Sequence, residues 1–360
     1  MLKIHFMGDI TPGGVMTSTG KISDEILSFL SNADLRIATL ESALGDGETK
    51  CHVKMNDPQL GNIIFSPDNS AISILKKLKI DAVSLANNHI CDLDLPGLYH
   101  TIDILDQNGI KHFGAGKNKE EAEKPVFIHK NGKTICLLGY FPPQWEAPYP
   151  PSDTQGGLCH FYIDKVLNDV RTYSEQCDYL FVMPHWGLEY SRLPYISDIK
   201  YAKQIISAGA TGIIGSHTHI VQPIIKYKHG IIAFSLGNFL FPDRYIVPPR
   251  QTYYPSEKEL IGKDIPTTDK YPIVDRLTYK KVNPSGRVGV ICTIELNGNM
   301  VKLEKHYSAL TNENCLILKD EKKQVKLMLY LYGCLTKSVL VMRLYNKTIS
   351  IYRRLKNKLC

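Results

Sequence analysis

Two histidines, His217 and His219 in Gly-Ser-His-Thr-His, follow the apolar run from Thr211 to Gly215 and are spaced like metal ligands. Four further segments share the habit. Gly8-Asp9 ends a first apolar strand, Leu40-Glu41 a second, Asn87-Asn88-His89 a third and His185-Trp186-Gly187 a fourth. Short apolar runs that stop at Asp, Glu, Asn or His are how an α/β sheet presents a site from its strand ends. Singly, each has an ordinary reading as a turn, a surface carboxylate or a hydrogen-bonded core histidine. Together they make an oxygen- and nitrogen-rich donor set suited to one or two divalent cations, Zn²⁺, Mn²⁺ or Fe. A bridging carboxylate lets two such ions share a hydroxide, a nucleophile at neutral pH.

The elements that must carry these residues alternate. Strand-like runs at Lys3–Met7, Leu35–Leu40 and Ala82–Ala86 interleave with helical patterns near Ser23–Asn32, Pro67–Leu78 and Leu95–Gln107, an α/β signature. Val126–His129 and Thr134–Leu138 flank an Asn-Gly turn and predict a hairpin. A second half follows, with helices at Ile163–Ser174 and Asp198–Ala208 and strands at Tyr179–Met183, Gly212–Gly215 and Ile231–Leu236. Two halves of similar pattern predict two packed sheets flanked by helices. Residues 242–287 show no clear period and read as an irregular, substrate-facing insertion. Val288–Leu296 and Met300–His306 read as a closing hairpin, with the body, residues 1–315, ending soon after it.

Composition narrows the class. With 360 residues, 43% of them hydrophobic, the chain has ample material for a large core. Its nine cysteines are odd in number and scattered without a Cys-x-x-Cys pair, which argues against a disulfide framework and fits a reducing compartment. The N-terminal apolar run reaches a polar turn too early for a secretory signal or a membrane span, so a cytoplasmic chain is expected. The net charge of +7 is uneven: from Lys322 to Cys360 there are ten Lys or Arg and no acid, which leaves the preceding body slightly acidic. This tail, residues 322–360, has the composition of a basic amphipathic helix at an anionic inner membrane face, or of a helix packed on the core. No fold or aromatic-basic platform accompanies the charge, so nucleic acid is not an expected partner.

The ordered motifs resemble the CapA/PgsA-type capsule (poly-γ-glutamate) synthesis proteins, of the calcineurin-like metallophosphoesterase superfamily. The matching stretches are Phe6-Met7-Gly8-Asp9-Ile10, Thr39-Leu40-Glu41-Ser42, Ser84-Leu85-Ala86-Asn87-Asn88-His89 with Asp92, and Phe113-Gly114-Ala115-Gly116. They continue with His185-Trp186-Gly187-x-Glu189-Tyr190, Gly215-Ser216-His217-x-His219 with Gln222, and Ser235-Leu236-Gly237-Asn238-Phe239. The resemblance implies a four-layer α/β/β/α sandwich with a C-terminal hairpin. It implies Asp9 and His219 on one metal, Glu41 bridging, and Asn88, His185 and His217 on a second. His89 would touch the substrate oxyanion or protonate the leaving group, with Asp92 either orienting it or capping a helix. Glu189, Trp186 and Asn238 would face the substrate, although an aromatic packed beside a strand end is the plainer reading of Trp186. One departure stands out: where the superfamily opens with Asp-x-His, this chain has Thr11, so the first metal loses an imidazole. The implied activity is metal-dependent hydrolysis or transfer at a phosphoester, less readily an amide, in the biosynthesis of capsule, exopolysaccharide or a poly-γ-glutamate-type polymer, with an anionic polymer or phosphoester as substrate. The implied alternative is a non-hydrolytic accessory subunit that docks on a polymer synthase.

Overall fold

A computed structural model describes residues 1–319 apart from 52–53, 56–60, 144–148, 270–272 and 299. Its frame is set by the strand Leu2–Ile10. Leu2, Ile4 and Phe6 point to one side and pack against the second sheet, while Met7 and Ile10 join the cluster under the helices on the other side. Leu35–Leu40 pairs with it in parallel, Ala82–Ser84 with that, and Lys111–Phe113 closes the row. On its other flank run the antiparallel strands Val288–Asn297, Met300–Leu310 and Cys315–Lys319, then the short strand Lys21–Ile22. The second sheet orders Ile224–Tyr227, Gly230–Ala233, Gly212–Ile214, Tyr179–Pro184, Lys133–Tyr140 and Val126–Lys130, with a parallel centre and antiparallel edges.

The two sheets meet face to face, with the rings of Phe6 and Phe181 4.7 Å apart, and Leu137 and Val290 in the same cluster. Helices Asp24–Ser31, Asp68–Lys77 and Asp94–Gln107 cover the first sheet through Ile26, Leu75 and Leu105. Helices Ile163–Ser174 and Ile196–Ser207 cover the second through Val166, Val170, Ala202 and Ile205. The result is the expected α/β/β/α sandwich. Parallel strands covered on both faces need continuous apolar sequence, and Leu35–Leu40 is buried throughout. The helix Asp24–Ser31 starts where Ser23 accepts a hydrogen bond from the Ile26 amide at 3.4 Å, with Asp24 and Glu25 in the first turn facing the positive helix end.

Three expectations are corrected. Residues 242–287 are not irregular: Arg244–Val247, Gln251–Tyr253, Thr267–Thr268 and Thr278–Lys280 form a small four-stranded sheet. Strands of two to four residues are too short for an alternating pattern to show. The strand expected at Ile231–Leu236 ends at Ala233, and a separate strand, Asn238–Leu240, crosses to pair with Leu2–Ile10 in the first sheet. The last described strand, Cys315–Lys319, extends the body past residue 315. The basic tail lies outside the described residues. Among the described residues no helix is long and apolar enough to cross a membrane, and the seven described cysteines are free.

Candidate metal centre

The strand ends converge where the first sheet's parallel strands stop. The pairing of Leu2–Ile10 with Leu35–Leu40 shifts between Phe6 and Asp9, and its pairing with Asn238–Leu240 shifts between Asp9 and Ile10. Such an irregularity re-aims a side chain. Gly8 makes this possible, because a Cβ there would lie 1.7 Å from the Gly237 carbonyl oxygen. On the other sheet, His185 and Ser216 form a bridge just beyond the strands that carry them. His217 and His219 both take left-handed backbone, with φ of 90° and 58°. Non-glycine residues pay for that conformation, and such strain collects at functional sites.

Asp9, Glu41, His185, His217 and His219 are at most 5% exposed and Asn88 6%. His185 Nε2 lies 2.9 Å from Asn88 Oδ1, 3.1 Å from His217 Nδ1 and 3.3 Å from Glu41 Oε1. Its Nδ1 is 2.8 Å from Ser216 Oγ, which in turn accepts from Thr39 Oγ1 at 3.2 Å. One ring nitrogen cannot satisfy three neighbours at once, whereas a cation among them would. Glu41 Oε2 lies 3.7 Å from His219 Nδ1, and the amide of His217 donates to Asp9 Oδ2 at 3.2 Å. Asp9 Oδ1 and both Glu41 oxygens are buried and accept no hydrogen bond among the described residues. Buried carboxylates in that condition are costly unless a cation meets them. Two donor groups emerge, Glu41 with His185 and His217, and Asp9 with Glu41 and His219, each with ligand atoms within 4.8 Å of one another. Glu41 is common to both.

The charges point the same way. Burial, reinforced by the Glu41 charge, pushes the Asp9 carboxyl well above its usual range. Burial alone would do the same to Glu41, but His219 and then His185 outweigh it and hold that carboxyl below the usual range. Burial also pushes the His217 and His185 imidazoles down, His217 strongly and with further help from His185. That direction favours the neutral imidazole, the form that ligates a metal. The donor set fits a divalent cation.

Around this centre lie residues that hold it in place. His89 Nδ1 is 2.7 Å from Asp92 Oδ2, which also accepts from the Ile64 amide at 2.6 Å. The helix Asp94–Gln107 starts after Leu93 without a side-chain cap, so Asp92 orients His89 and does not cap. Asn87 ties the loop down, donating to the Leu40 carbonyl and accepting from the His89 amide. Thr11 Oγ1 donates to the Glu41 carbonyl at 3.1 Å, so the hydroxyl that replaces an imidazole is spent on backbone. Asn238, expected to face the substrate, is engaged at both ends of its amide: Oδ1 sits 2.9 Å from His219 Nδ1 and Nδ2 donates to the Gly286 carbonyl. It positions His219. Trp186 is also corrected. It is 2% exposed, its indole N–H donates to the Phe234 carbonyl and its ring packs on Phe161. It shares with Leu180 and Val182 the face turned to the helices, whereas Phe181 and Met183 look toward the first sheet. Glu189 is half-buried on the turn beyond, with its charge felt at Lys280.

Sequence reasoning missed Lys54. It is 2% exposed, and its ammonium pairs with Asp92 Oδ1 at 2.6 Å, donates to the Asn88 carbonyl at 2.7 Å and lies 3.1 Å from His89 Nδ1. Nothing in its polar sequence context distinguishes it from a solvated lysine.

Comparison with known proteins agrees with the motif order. The chain is 28% identical over 250 residues to a capsule biosynthesis protein, CapA, of Bacillus anthracis, covering 67% of this chain and 60% of that protein. It is 27% identical over 248 residues to a PGA biosynthesis protein, CapA, of Bacillus subtilis, covering 67% and 63%. The matched region thus spans 60% and 63% of the length of these relatives. A solved calcineurin-like phosphoesterase of Bacillus subtilis is a distant likeness, with a TM-score of 0.43 at 14% identity over 93% of this chain and 97% of that one. The sequence profile described as bacterial capsule synthesis protein PGA_cap matches residues 3–243, a stretch that holds every candidate ligand, and the chain belongs to that family.

Proposed function

We propose that the chain is a metal-dependent hydrolase or transferase of capsule or anionic-polymer biosynthesis, acting at a phosphoester and less readily at an amide. The observation that carries this reading is the convergence of three buried carboxylate oxygens, which accept no hydrogen bond among the described residues, with His185, His217 and His219. Asp9, Glu41, Asn88 and the three histidines would hold one or two divalent ions. A bound cation supplies polarisation of a substrate oxygen and a lowered pKa for water. The protein's own part is to favour the neutral imidazoles of His185 and His217, exclude water from the centre and present His89, locked by Asp92, to the leaving group or oxyanion. Thr11, with its hydroxyl committed to the Glu41 carbonyl, leaves the Asp9 side one donor poorer. That feature favours a second reading, an accessory subunit that binds a polymer end on a synthase without hydrolysing it.

The test is turnover on a panel of phosphodiesters, phosphomonoesters and γ-linked amides. His185→Ala should abolish activity with the circular-dichroism spectrum intact. His89→Ala should lower turnover about 10²–10⁴-fold while bound metal stays near wild type. Wild-type protein inactive on every substrate while carrying metal would leave the accessory reading in possession.

A further inference from the structure

The small sheet beside the metal centre sets two buried cations against each other. Arg244 and Lys280 are direct partners on antiparallel strands, so their side chains leave the same face, and each is 2% exposed. Like charges directly opposed across a strand pair repel, and burial removes the water that would screen them. Lys280 finds some relief by donating to the carbonyls of Asp269 and Lys281 at 3.2 and 3.1 Å. Its ammonium is nonetheless pushed down to about 8, by burial first and by Arg244 next. Arg244 finds less. Its Nε and Nη1 are buried and make no hydrogen bond among the described residues. Its Cζ lies 4.5 Å from the centroid of the Phe241 ring.

The neighbouring acids do not neutralise it. Asp243 is taken up by Arg287, the Val282 amide, Asn314 and Tyr279. Glu189 and the exposed Asp269 bear on Lys280. A buried guanidinium with two of its nitrogens unbonded among the described residues is costly, and its fork of donors matches a carboxylate or phosphate. Its place says which function. Phe241 also packs edge-on against His219 with ring centroids 4.8 Å apart, so a single phenyl ring links the guanidinium to a candidate ligand.

We propose that Arg244, with Lys280 beside it, forms an anion subsite adjoining the metal centre, which takes a carboxylate or phosphate group of the substrate away from the reacting bond. The assignment of that anion to a substrate rests on the metal-centre reading; the anion site itself does not. Guanidinium and ammonium together suit either oxyanion.

The test is calorimetric titration of the chelator-treated full chain, at low salt, with inorganic phosphate and separately with glutarate. Wild type and His217→Ala should bind at least one of the two alike. Arg244→Met should bind it at least tenfold more weakly and Arg244→Lys should fall between. Binding of phosphate alone marks a phosphate subsite, binding of glutarate alone a carboxylate subsite. Should Arg244→Met fail to fold, Lys280→Gln carries the test, with an expected loss of at least threefold. The proposal is overturned by a wild type that binds neither anion, by folded variants that bind like wild type, or by a loss in His217→Ala as large as that in Arg244→Met. Because the titration is done without metal, its failure leaves the metal reading standing, and failure of the metal reading leaves the titration informative.

Discussion

Lys54 illustrates what single residues do here. Its charge is closed off from water against Asp92, and Asp92 in turn fixes His89. A buried ion pair is a poor source of net stability, yet stranding either member is expensive, about 3–5 kcal/mol. Lys54→Met and Asp92→Asn should each destabilise the protein by roughly that amount, while the double variant should cost less than the sum by about 1–3 kcal/mol. Urea unfolding of the four proteins gives the answer, and strict additivity would mean that the pair does not act as a unit. The buried donor cluster could be picked out in the sequence because Asp9, Glu41, His185 and His217 all stop apolar runs. Asn238 was misjudged, and Trp186 stayed between two readings, because adjacency to a motif does not say which way a side chain turns. Trp186 lies next to His185 and faces the opposite layer.

At the scale of elements, the site depends on backbone that barely fits. Gly8 allows Leu2–Ile10 to pass the Gly237 carbonyl and deliver Asp9. Gly8→Ala should destabilise by about 2–4 kcal/mol and displace Asp9, with bound metal falling as well. A variant with wild-type melting and metal content would remove the close approach from the account. The contact between Leu2–Ile10 and the helix Asp24–Ser31 has its own pH signature. His5 is 1% exposed, stacks on Phe29 at 4.6 Å, and is pushed down to about 4, chiefly by burial. Its neutral form belongs to the fold, so its contribution is full above the unfolded pKa near 6.5 and is lost as pH falls toward 4, at up to about 1.4 kcal/mol per pH unit. His5→Gln should flatten the stability–pH curve over that window, and parallel curves would show that His5 is not responsible. The helices and the longer strands of the sandwich were readable from periodicity. The small sheet holding Arg244 and Lys280 was not, since its strands have two to four residues and are defined only by their partners.

The described body is a sandwich whose two sheets, packed through Phe6, Leu137 and Phe181, bring strand ends far apart in sequence to one buried point. That convergence could be anticipated from the order of the motifs but not measured, because the distance between Glu41 and His217 is a property of the packed sheets. Residues 3–243 are family territory. The small sheet that begins at Arg244 lies past that stretch. The central claim is that the buried cluster is a metal centre. Elemental analysis of untagged protein, wild type against His217→Ala, tests it most directly. The account predicts at least one divalent ion per wild-type chain and a clear fall in the variant. No bound metal in the wild type, even after reconstitution with Mn²⁺ and Zn²⁺, would contradict it.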